Sequence, residues 1–226
     1  MKALLIFAHP DDESFSCAGK IIQIKSAGGE IVSVCATNGD AGEVGSPAIC
    51  TKDELGKVRE EECQDAAKIL GISKIHFLGY KDGQLNQTSG KELEEKITEI
   101  LEQFSPDEIY TFGPDGYTNH PDHKAISLAA TNAFRKYSRH AICSLFYTVN
   151  PESNLEKLSG SKNEYTSFGK VHGVSDKKLI KLDISREFDR KVKALMCHKT
   201  QNKDFERFIT SGNLIDLNFE YYQKYQ

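Results

Sequence analysis

Near its N-terminus the chain reads Ala3-Leu-Leu-Ile-Phe-Ala-His-Pro-Asp-Asp-Glu13. Residues 3–8 are apolar without any polar alternation, which indicates a strand that is covered on both faces. The polar residues that follow end this strand abruptly. The stretch therefore predicts the first strand of a parallel sheet with helices on either side.

Four similar apolar runs occur further along the chain, at residues 31–36, 75–78, 109–112 and 142–149. Apolar residues at helical spacing lie between and after them, at positions 93, 97, 100, 101 and 104 and at positions 188, 192, 195 and 196. This alternation predicts right-handed βαβ units. We expect an α/β fold with a doubly wound, mostly parallel Rossmann-like sheet and helices on both faces.

The 226 residues fit a single domain, with the sheet core and its ligand site in residues 1–150. Residues 151–226 are expected to hold a loop and a C-terminal helix. Because residues 151–170 are polar and lack periodicity, they predict a long loop. A lid over the pocket and a plain surface segment are both open as roles for that loop.

Composition limits the classes of function. Lys and Arg total 29 against 33 Asp and Glu, without a basic block, so nucleic acid is an unexpected partner. The six cysteines are scattered, which is typical of a reducing compartment. The apolar run of residues 3–8 is too short for a signal peptide, and no stretch approaches the roughly 20 apolar residues of a membrane span. We expect a soluble, cytoplasmic protein without membrane partners.

Histidines and carboxylates follow two of the predicted strands. His9-Pro-Asp-Asp-Glu13 comes after the first strand, and Gly113-Pro-Asp-Gly-Tyr-Thr-Asn-His-Pro-Asp-His123 after the fourth. Ligands of open α/β sheets bind at the carboxyl ends of strands. Each motif alone is more simply explained as a turn or a helix cap. Their joint occurrence at one sheet edge favours a metal site.

Imidazole and carboxylate ligands favour zinc, whose catalytic sites take three protein ligands and leave one position open. Magnesium prefers oxygen ligands, so two histidines argue against it. Iron accepts two histidines and a carboxylate and is also compatible with these ligand types.

Three motifs together resemble the PIG-L/LmbE-like family of zinc-dependent N-acetylglucosaminyl deacetylases. They are Ala8-His-Pro-Asp-Asp-Glu13, Thr37-Asn-Gly-Asp-Ala-Gly-Glu43 and His120-Pro-Asp-His123. Weaker similarities lie in three further segments: Arg59-Glu-Glu-Glu62, Leu78-Gly-Tyr-Lys-Asp-Gly83 and His198-Lys-Thr-Gln201.

The resemblance implies a role for each residue of the two strand-end motifs. It assigns the zinc ligands to His9, Asp12 and His123. It makes Asp11 the general base and His120 the group that polarises the carbonyl, with Asp122 orienting or tuning His120. We expect His120 to act as an imidazolium that Asp122 favours through a hydrogen bond.

The resemblance also implies removal of acetyl from the N-acetylglucosamine unit of a small, soluble amino-sugar conjugate, and it is compatible with a homo-oligomer. Candidates for binding this substrate are Arg59, Asp82 and His198. For Arg59 and Asp82, solvated surface positions are an equal interpretation. His198 is equally suited to capping a helix C-terminus.

Three alternatives remain from the sequence. The same metal site could hydrolyse another amide or an ester. A non-catalytic sugar-binding or metal-binding protein could share the scaffold, although Asp11 and His120 would then have no purpose. A nucleotide-binding module is disfavoured, because no GxGxxG or GxxxxGK[ST] loop follows the first strand.

Overall fold

The computed structural model describes residues 1–159, 165, 166 and 168–226. Its strands, in chain order, are β1 (Lys2–Phe7), β2 (Glu30–Thr37), β3 (Lys74–Tyr80), β4 (Glu108–Phe112), β5 (Ser144–Thr148), β6 (Tyr165–Thr166), β7 (Gly169–Lys170), β8 (Ile180–Asp183) and β9 (Phe219–Lys224). All five predicted strands are confirmed, each within two residues of the predicted bounds.

Seven of these strands form one sheet in the order β3-β2-β1-β4-β5-β9-β8. The first five are parallel, whereas β9 is antiparallel to β5 and to β8. The chain moves outward from β1 to β3, then returns to place β4 on the other side of β1. The direction of winding therefore reverses between β1 and β4, and ligands of such sheets bind at this position.

The helices are α1 (Asp12–Ser16), α2 (Ala18–Ser26), α3 (Leu55–Leu70), α4 (Gly90–Phe104), α5 (Pro121–Tyr137), α6 (Glu152–Leu158), α7 (Phe188–Leu195) and α8 (Asn202–Ser211). Helix α3 packs against α2 and α7, while α4 packs against α5, which also contacts β1 and β4. Right-handed crossovers place α2 and α3 on one face of the sheet and α4 and α5 on the other. The predicted doubly wound α/β fold is confirmed.

Helices cover both faces of the sheet at β1, which explains the apolar run near the N-terminus. Every residue from 3 to 8 is at most 1% exposed, and this strand forms the centre of the core. Among the described residues, no helix is long and apolar enough to cross a membrane.

The prediction of a long loop at residues 151–170 is wrong for much of that segment. Helix α6 begins one residue after Pro151, and β6 pairs with β7 as a small antiparallel hairpin. Residues 160–164 and 167 of the predicted loop lie outside the described residues. Two further strands extend the sheet where the sequence predicted only a loop and a helix: β8, which is mostly exposed, and β9, which buries Glu220 and Tyr222.

Candidate metal centre and active site

The turn after β1 presents two adjacent aspartates in different ways. Asp12 begins α1, and its Oδ2 accepts hydrogen bonds from the backbone N–H groups of Ala8 and His9, at 3.1 and 2.7 Å. Asp11 precedes the helix with φ of 121°, a conformation that costs a non-glycine residue about 1–3 kcal/mol. This strained turn separates the two carboxylates.

Donor atoms of three side chains from the two motifs face one another. His9 Nδ1 lies 3.1 Å from His123 Nε2, which lies 3.3 Å from Asp12 Oδ1. Asp12 Oδ2 lies 3.6 Å from His9 Nδ1. Metal–ligand bonds of 2.0–2.1 Å in a tetrahedron place ligand atoms about 3.3 Å apart. The predicted ligands His9, Asp12 and His123 are therefore spaced as one triangular ligand face would be, with Asp12 approaching His123 through Oδ1 and His9 through Oδ2.

The other nitrogen of each imidazole is already bonded. His9 Nε2 lies 3.0 Å from Asp82 Oδ1, and His123 Nδ1 lies 3.0 Å from the Gly116 carbonyl oxygen and 3.2 Å from Thr118 Oγ1. Protons on these outer nitrogens leave lone pairs on His9 Nδ1 and His123 Nε2, so two acceptors face each other at 3.1 Å. Such a pair requires a cation between or beside them.

In the metal-free chain a proton meets part of this requirement. Burial alone lowers the pKa of His9, but hydrogen bonds to Asp122 and Asp82, with the charge of Asp12, raise it to about 10. Burial opposes the charged form of Asp12, whereas its contacts with His123 and His9 hold the pKa of the carboxyl well below its usual range. The cluster thus binds positive charge strongly, as a metal centre must.

Among the described residues, two groups of possible ligands have donor atoms that all lie within 4.8 Å of one another: His9 with His120 and His123, and His9 with Asp82 and Asp122. Neither group contains Asp12, which we keep in the proposed ligand set because its Oδ1 lies 3.3 Å from His123 Nε2. In the second group, the carboxylates of Asp82 and Asp122 face His9 Nε2 and already accept hydrogen bonds. Asp122 Oδ1 accepts from the Leu85 backbone N–H at 3.0 Å, and its Oδ2 accepts from that of Gly83 at 2.7 Å. We therefore assign Asp82 and Asp122 to orienting His9, as carboxylates commonly do for metal-bound histidines.

The expected contact between Asp122 and His120 takes a different form. The backbone N–H of Asp122 donates to His120 Nδ1 at 3.1 Å, while its carboxylate contacts the loop after β3 and His9. Burial and the nearby charges of His9 and His123 lower the pKa of His120 to about 4. The expectation of an imidazolium is wrong for this geometry, which favours a neutral ring with its proton on Nε2.

Arg59 is a buried residue on α3 rather than a solvated one. It is 4% exposed, and its guanidinium donates to the carbonyl oxygens of Gly39 and Pro10 and to Asp11 Oδ2, at 3.0, 2.8 and 3.0 Å. Gly39 has a left-handed φ of 71°, and a Cβ there would lie 2.4 Å from the guanidinium, so a larger residue would be strained and would displace Arg59. Arg59 thus joins the turn after β1 to the loop after β2 and holds Asp11.

The side chains of Asp82 and His198 are also largely covered, with 8% and 2% exposure. Besides His9, Asp82 contacts the Ala41 backbone N–H through Oδ2 at 3.2 Å. His198 Nε2 lies 3.1 Å from Ser14 Oγ, whose hydroxyl donates to Glu13 Oε1 at 2.9 Å. Burial, followed by the charge of Arg59, lowers the pKa of His198 to about 3. Both side chains hold neighbouring segments, and their assignment as substrate-binding residues stays a prediction.

Three supporting hydrogen bonds were not predicted from the sequence. Glu62 accepts hydrogen bonds from the backbone N–H and the hydroxyl of Thr200, at 2.9 and 2.6 Å, and Gln201 donates to the Glu43 carbonyl oxygen at 3.0 Å. The two weak motifs ending at Glu62 and Gln201 therefore contact each other. Both motifs were visible in the sequence, but their contact was not, because it joins residues that lie 138 positions apart.

Comparison with known proteins places this site in a family. The family model described as GlcNAc-PI de-N-acetylase, PIG-L, matches residues 4–134, which include all the proposed ligands. The chain therefore belongs to the PIG-L family, as its motifs predicted.

Two curated relatives carry deacetylase names. One, from Bacillus subtilis, is a probable N-acetyl-alpha-D-glucosaminyl L-malate deacetylase 2, 30% identical over 90% of this chain and 85% of its own length. The other, from Streptomyces griseus, is a 1D-myo-inositol 2-acetamido-2-deoxy-alpha-D-glucopyranoside deacetylase, 28% identical over 88% of this chain and 74% of its own length.

Solved structures share the fold across different reactions. The N,N'-diacetylchitobiose deacetylase of Pyrococcus horikoshii matches with a TM-score of 0.72 and 22% identity, over 99% of this chain and 83% of its own. A 4-carboxy-2-hydroxymuconate hydratase from Pseudomonas putida matches with a TM-score of 0.71 and 19% identity, over 100% of this chain and 96% of its own. Because this fold hosts a hydratase as well, the activity has to be argued from the site.

Proposed function

We propose that this protein is a zinc-dependent N-deacetylase that removes acetyl from the N-acetylglucosamine unit of a small glycoconjugate. The observation that carries the proposal is the 3.1 Å approach of His9 Nδ1 to His123 Nε2, with the outer nitrogens of both rings already bonded. With Asp12 beside them, they make a three-ligand face at the position where ligands bind in this fold.

Zinc is the metal that this donor set favours, and iron is the alternative that metal analysis distinguishes. Bound zinc would acidify a water molecule and polarise the acetyl carbonyl. Every other task falls to side chains of this chain. Assembly into a homo-oligomer and a cytoplasmic location stay predictions from the sequence.

Asp11 is suited to receive a proton from the attacking water. Its burial raises the pKa of the carboxyl well above the usual value, against the opposing charge of Arg59, so it is a stronger base than an exposed aspartate. Arg59 holds its Oδ2 at 3.0 Å, which fixes the position of the base. The same proton can then pass to the sugar nitrogen as the C–N bond breaks, which gives acetate and a free amine.

His120 is suited to donate a hydrogen bond to the acetyl oxygen. Because its Nδ1 accepts from the Asp122 backbone, the neutral ring presents an N–H at Nε2. Its ring lies 4.8 Å from that of His9 and 4.9 Å from that of His123, between centroids. A preorganised donor at this position stabilises negative charge that develops on the oxygen.

The names of the relatives support the sugar and leave the aglycone open. One acts on an N-acetylglucosaminyl L-malate and the other on an inositol conjugate of the same acetylated amino sugar. The N-acetylglucosamine unit is what they share. We therefore propose this unit as the reacting part of the substrate and assign no aglycone.

Acetate release by reconstituted protein tests the proposal. Protein stripped with chelator and reloaded with zinc or ferrous iron would be assayed on N-acetylglucosamine and on its L-malate and inositol conjugates. An N-acetyl amino acid and an acetate ester test the alternative of another amide or ester. We expect about one zinc per chain and deacetylation of at least one sugar conjugate. Exclusive turnover of the amino acid or ester would contradict the proposed substrate.

A further inference from the structure

A large apolar side chain lies exposed beside the site. Phe168, between β6 and β7, is 44% exposed, and its ring meets that of His120 edge to face with centroids 4.1 Å apart. Exposing an aromatic ring forgoes the free energy that its burial would give. Single exposed apolar side chains are common on protein surfaces, and what distinguishes Phe168 is the contact of its ring with His120 beside the proposed metal ligands.

A hydrogen bond from the residue before the His120-Pro-Asp-His123 motif holds the backbone of Phe168 in place. Asn119, directly before His120, donates from Nδ2 to the Phe168 carbonyl oxygen at 2.5 Å. Asn119 has a left-handed φ of 66°, which asparagine tolerates better than most residues. The segment that carries His120 therefore also positions Phe168.

The order of the rings defines a path from solvent to the ligand face. Phe168 contacts His120, and His120 contacts both His9 and His123. An acetyl group bound at His120 and the ligand face would place the sugar ring that carries it further outward. That sugar ring would lie beside Phe168.

We propose that Phe168 is the platform on which the pyranose ring of the substrate packs. A pyranose has an apolar face of C–H groups, which an aromatic ring can cover while the hydroxyl groups remain in solvent. This inference rests on the proposed function and adds a residue that distinguishes cyclic amino sugars from acyclic acetamides.

Three variants test the platform: Phe168→Ala, Phe168→Tyr as the conservative change, and Ile142→Ala as the control. Ile142 is fully exposed and precedes β5, so it lies at the amino ends of the parallel strands, whereas the site lies at their carboxyl ends. For each zinc-loaded variant, the zinc content, the Kd for N-acetylglucosamine by NMR titration, and kcat and KM would be measured. The substrates would be the sugar conjugate and the acyclic N-ethylacetamide.

For Phe168→Ala we expect Kd and KM for the sugar to rise about five- to tenfold, with zinc content unchanged and kcat within about twofold. KM for N-ethylacetamide, Phe168→Tyr and Ile142→Ala should stay near wild type. Unchanged sugar affinity in Phe168→Ala, or an equal loss for both substrates, would overturn the platform.

The binding measurement separates this inference from the proposed function. Wild-type protein that binds N-acetylglucosamine but releases no acetate contradicts the deacetylase, while the Kd of Phe168→Ala still decides the platform. Wild-type protein that hydrolyses the conjugate, with Phe168→Ala equally good in Kd and KM, contradicts the platform alone. Failure of the wild type to bind the sugar at all overturns the platform as well.

Discussion

Two buried clusters of charged side chains lie in this protein, and they are completed in different ways. The first joins Lys191 of α7 to Glu220 of β9 at 2.8 Å, with both side chains 3% exposed. Glu220 also accepts hydrogen bonds from the backbone N–H groups of Gly19 and Lys20 and from the Tyr222 hydroxyl, while Lys191 donates to the Phe15 carbonyl oxygen. One positive and one negative charge balance, and the carboxylate caps the first turn of α2.

The second cluster, at the ends of β1 and β4, does not balance in this way. Asp12, Asp82 and Asp122 surround His9, and the facing nitrogens of His9 and His123 are both acceptors when the outer nitrogens carry the protons. In the metal-free chain, three carboxylates face two positive charges, the His9 imidazolium and Arg59, whose Nη1 lies 3.9 Å from Asp82 Oδ2. A buried excess of negative charge is costly unless it is paired or coordinates a metal.

The difference separates a structural cluster from a functional one. Lys191 and Glu220 satisfy each other, so nothing further has to bind there. For the cluster at His9, we propose that a metal cation completes it. Burial and charge alone therefore do not identify a site, whereas facing acceptor atoms do.

The largest effect is expected from removing a proposed zinc ligand from the cluster at His9. His123→Ala leaves two ligands of the triangular face, so tight zinc binding and deacetylation should both be lost. His140, which is exposed and pairs with Glu102 at 2.9 Å far from the site, supplies the control His140→Ala. Zinc content after dialysis measures the effect. Stoichiometric zinc of wild-type affinity in His123→Ala would remove it from the ligand set.

Breaking the balanced cluster should affect stability instead. Lys191→Met leaves Glu220 buried without its counter-ion, and the free energy of unfolding should fall by about 3–5 kcal/mol. The exposed neighbour gives the control Lys193→Met. Urea unfolding of zinc-loaded protein measures the loss. Folded Lys191→Met that holds no zinc would show that the two clusters are not separate.

Glu13 adds a buried carboxylate that has neither a counter-ion in hydrogen-bond contact nor a place on the ligand face. Burial raises its pKa from 4.5 to about 7. The folded chain thus holds the proton more tightly than the unfolded chain, and stability falls as pH rises from about 4.5 to about 7.

Glu13→Gln should therefore gain stability relative to wild type across that window, by roughly 3 kcal/mol at most above pH 7. Thermal unfolding of metal-free protein at pH 5 and pH 8 measures this, with the exposed Glu61→Gln as the control. A difference between variant and wild type that does not change with pH would show that Glu13 does not titrate in this range.

The smallest effect is expected from a residue that orients a ligand without binding the metal. Asp122→Asn places an amide against the backbone N–H groups of Gly83 and Leu85 and weakens the support of His9. Zinc affinity should fall about tenfold to a hundredfold. Asp107→Asn, which alters another carboxylate that accepts a backbone N–H, is the control. A complete loss of zinc in Asp122→Asn would instead make it a ligand.

The parallel half of the fold and the ligand face were predictable because their signals are local. The run at residues 3–8 is apolar since both faces of β1 are covered, and polar residues crowd only where such strands end. The antiparallel strands gave no such signal. In β8, Leu182 is half-buried and the other three residues, Ile180 among them, are exposed. This strand forms by pairing with β9, whose partners lie some 40 residues away.

Roles that depend on distant partners were also missed. Arg59 looks like any helical arginine, and only folding brings it to Asp11, 48 residues earlier. The same holds for Asp82, which contacts His9 across the ends of two strands. Phe168 lies in a segment without periodicity, so its position beside His120 could not be inferred from spacing.

The central claim is that Asp12 binds the metal while the neighbouring Asp11 serves as the base. Paired zinc stoichiometry and deacetylation rate for Asp11→Asn and Asp12→Asn, under identical conditions, test it most directly. Asp12→Asn should lose zinc and activity together, with partial recovery in excess zinc. Asp11→Asn should keep its zinc, lose roughly 10² to 10⁴ in kcat, and gain nothing from added metal. An empty Asp11→Asn beside a zinc-loaded but slow Asp12→Asn would contradict the account.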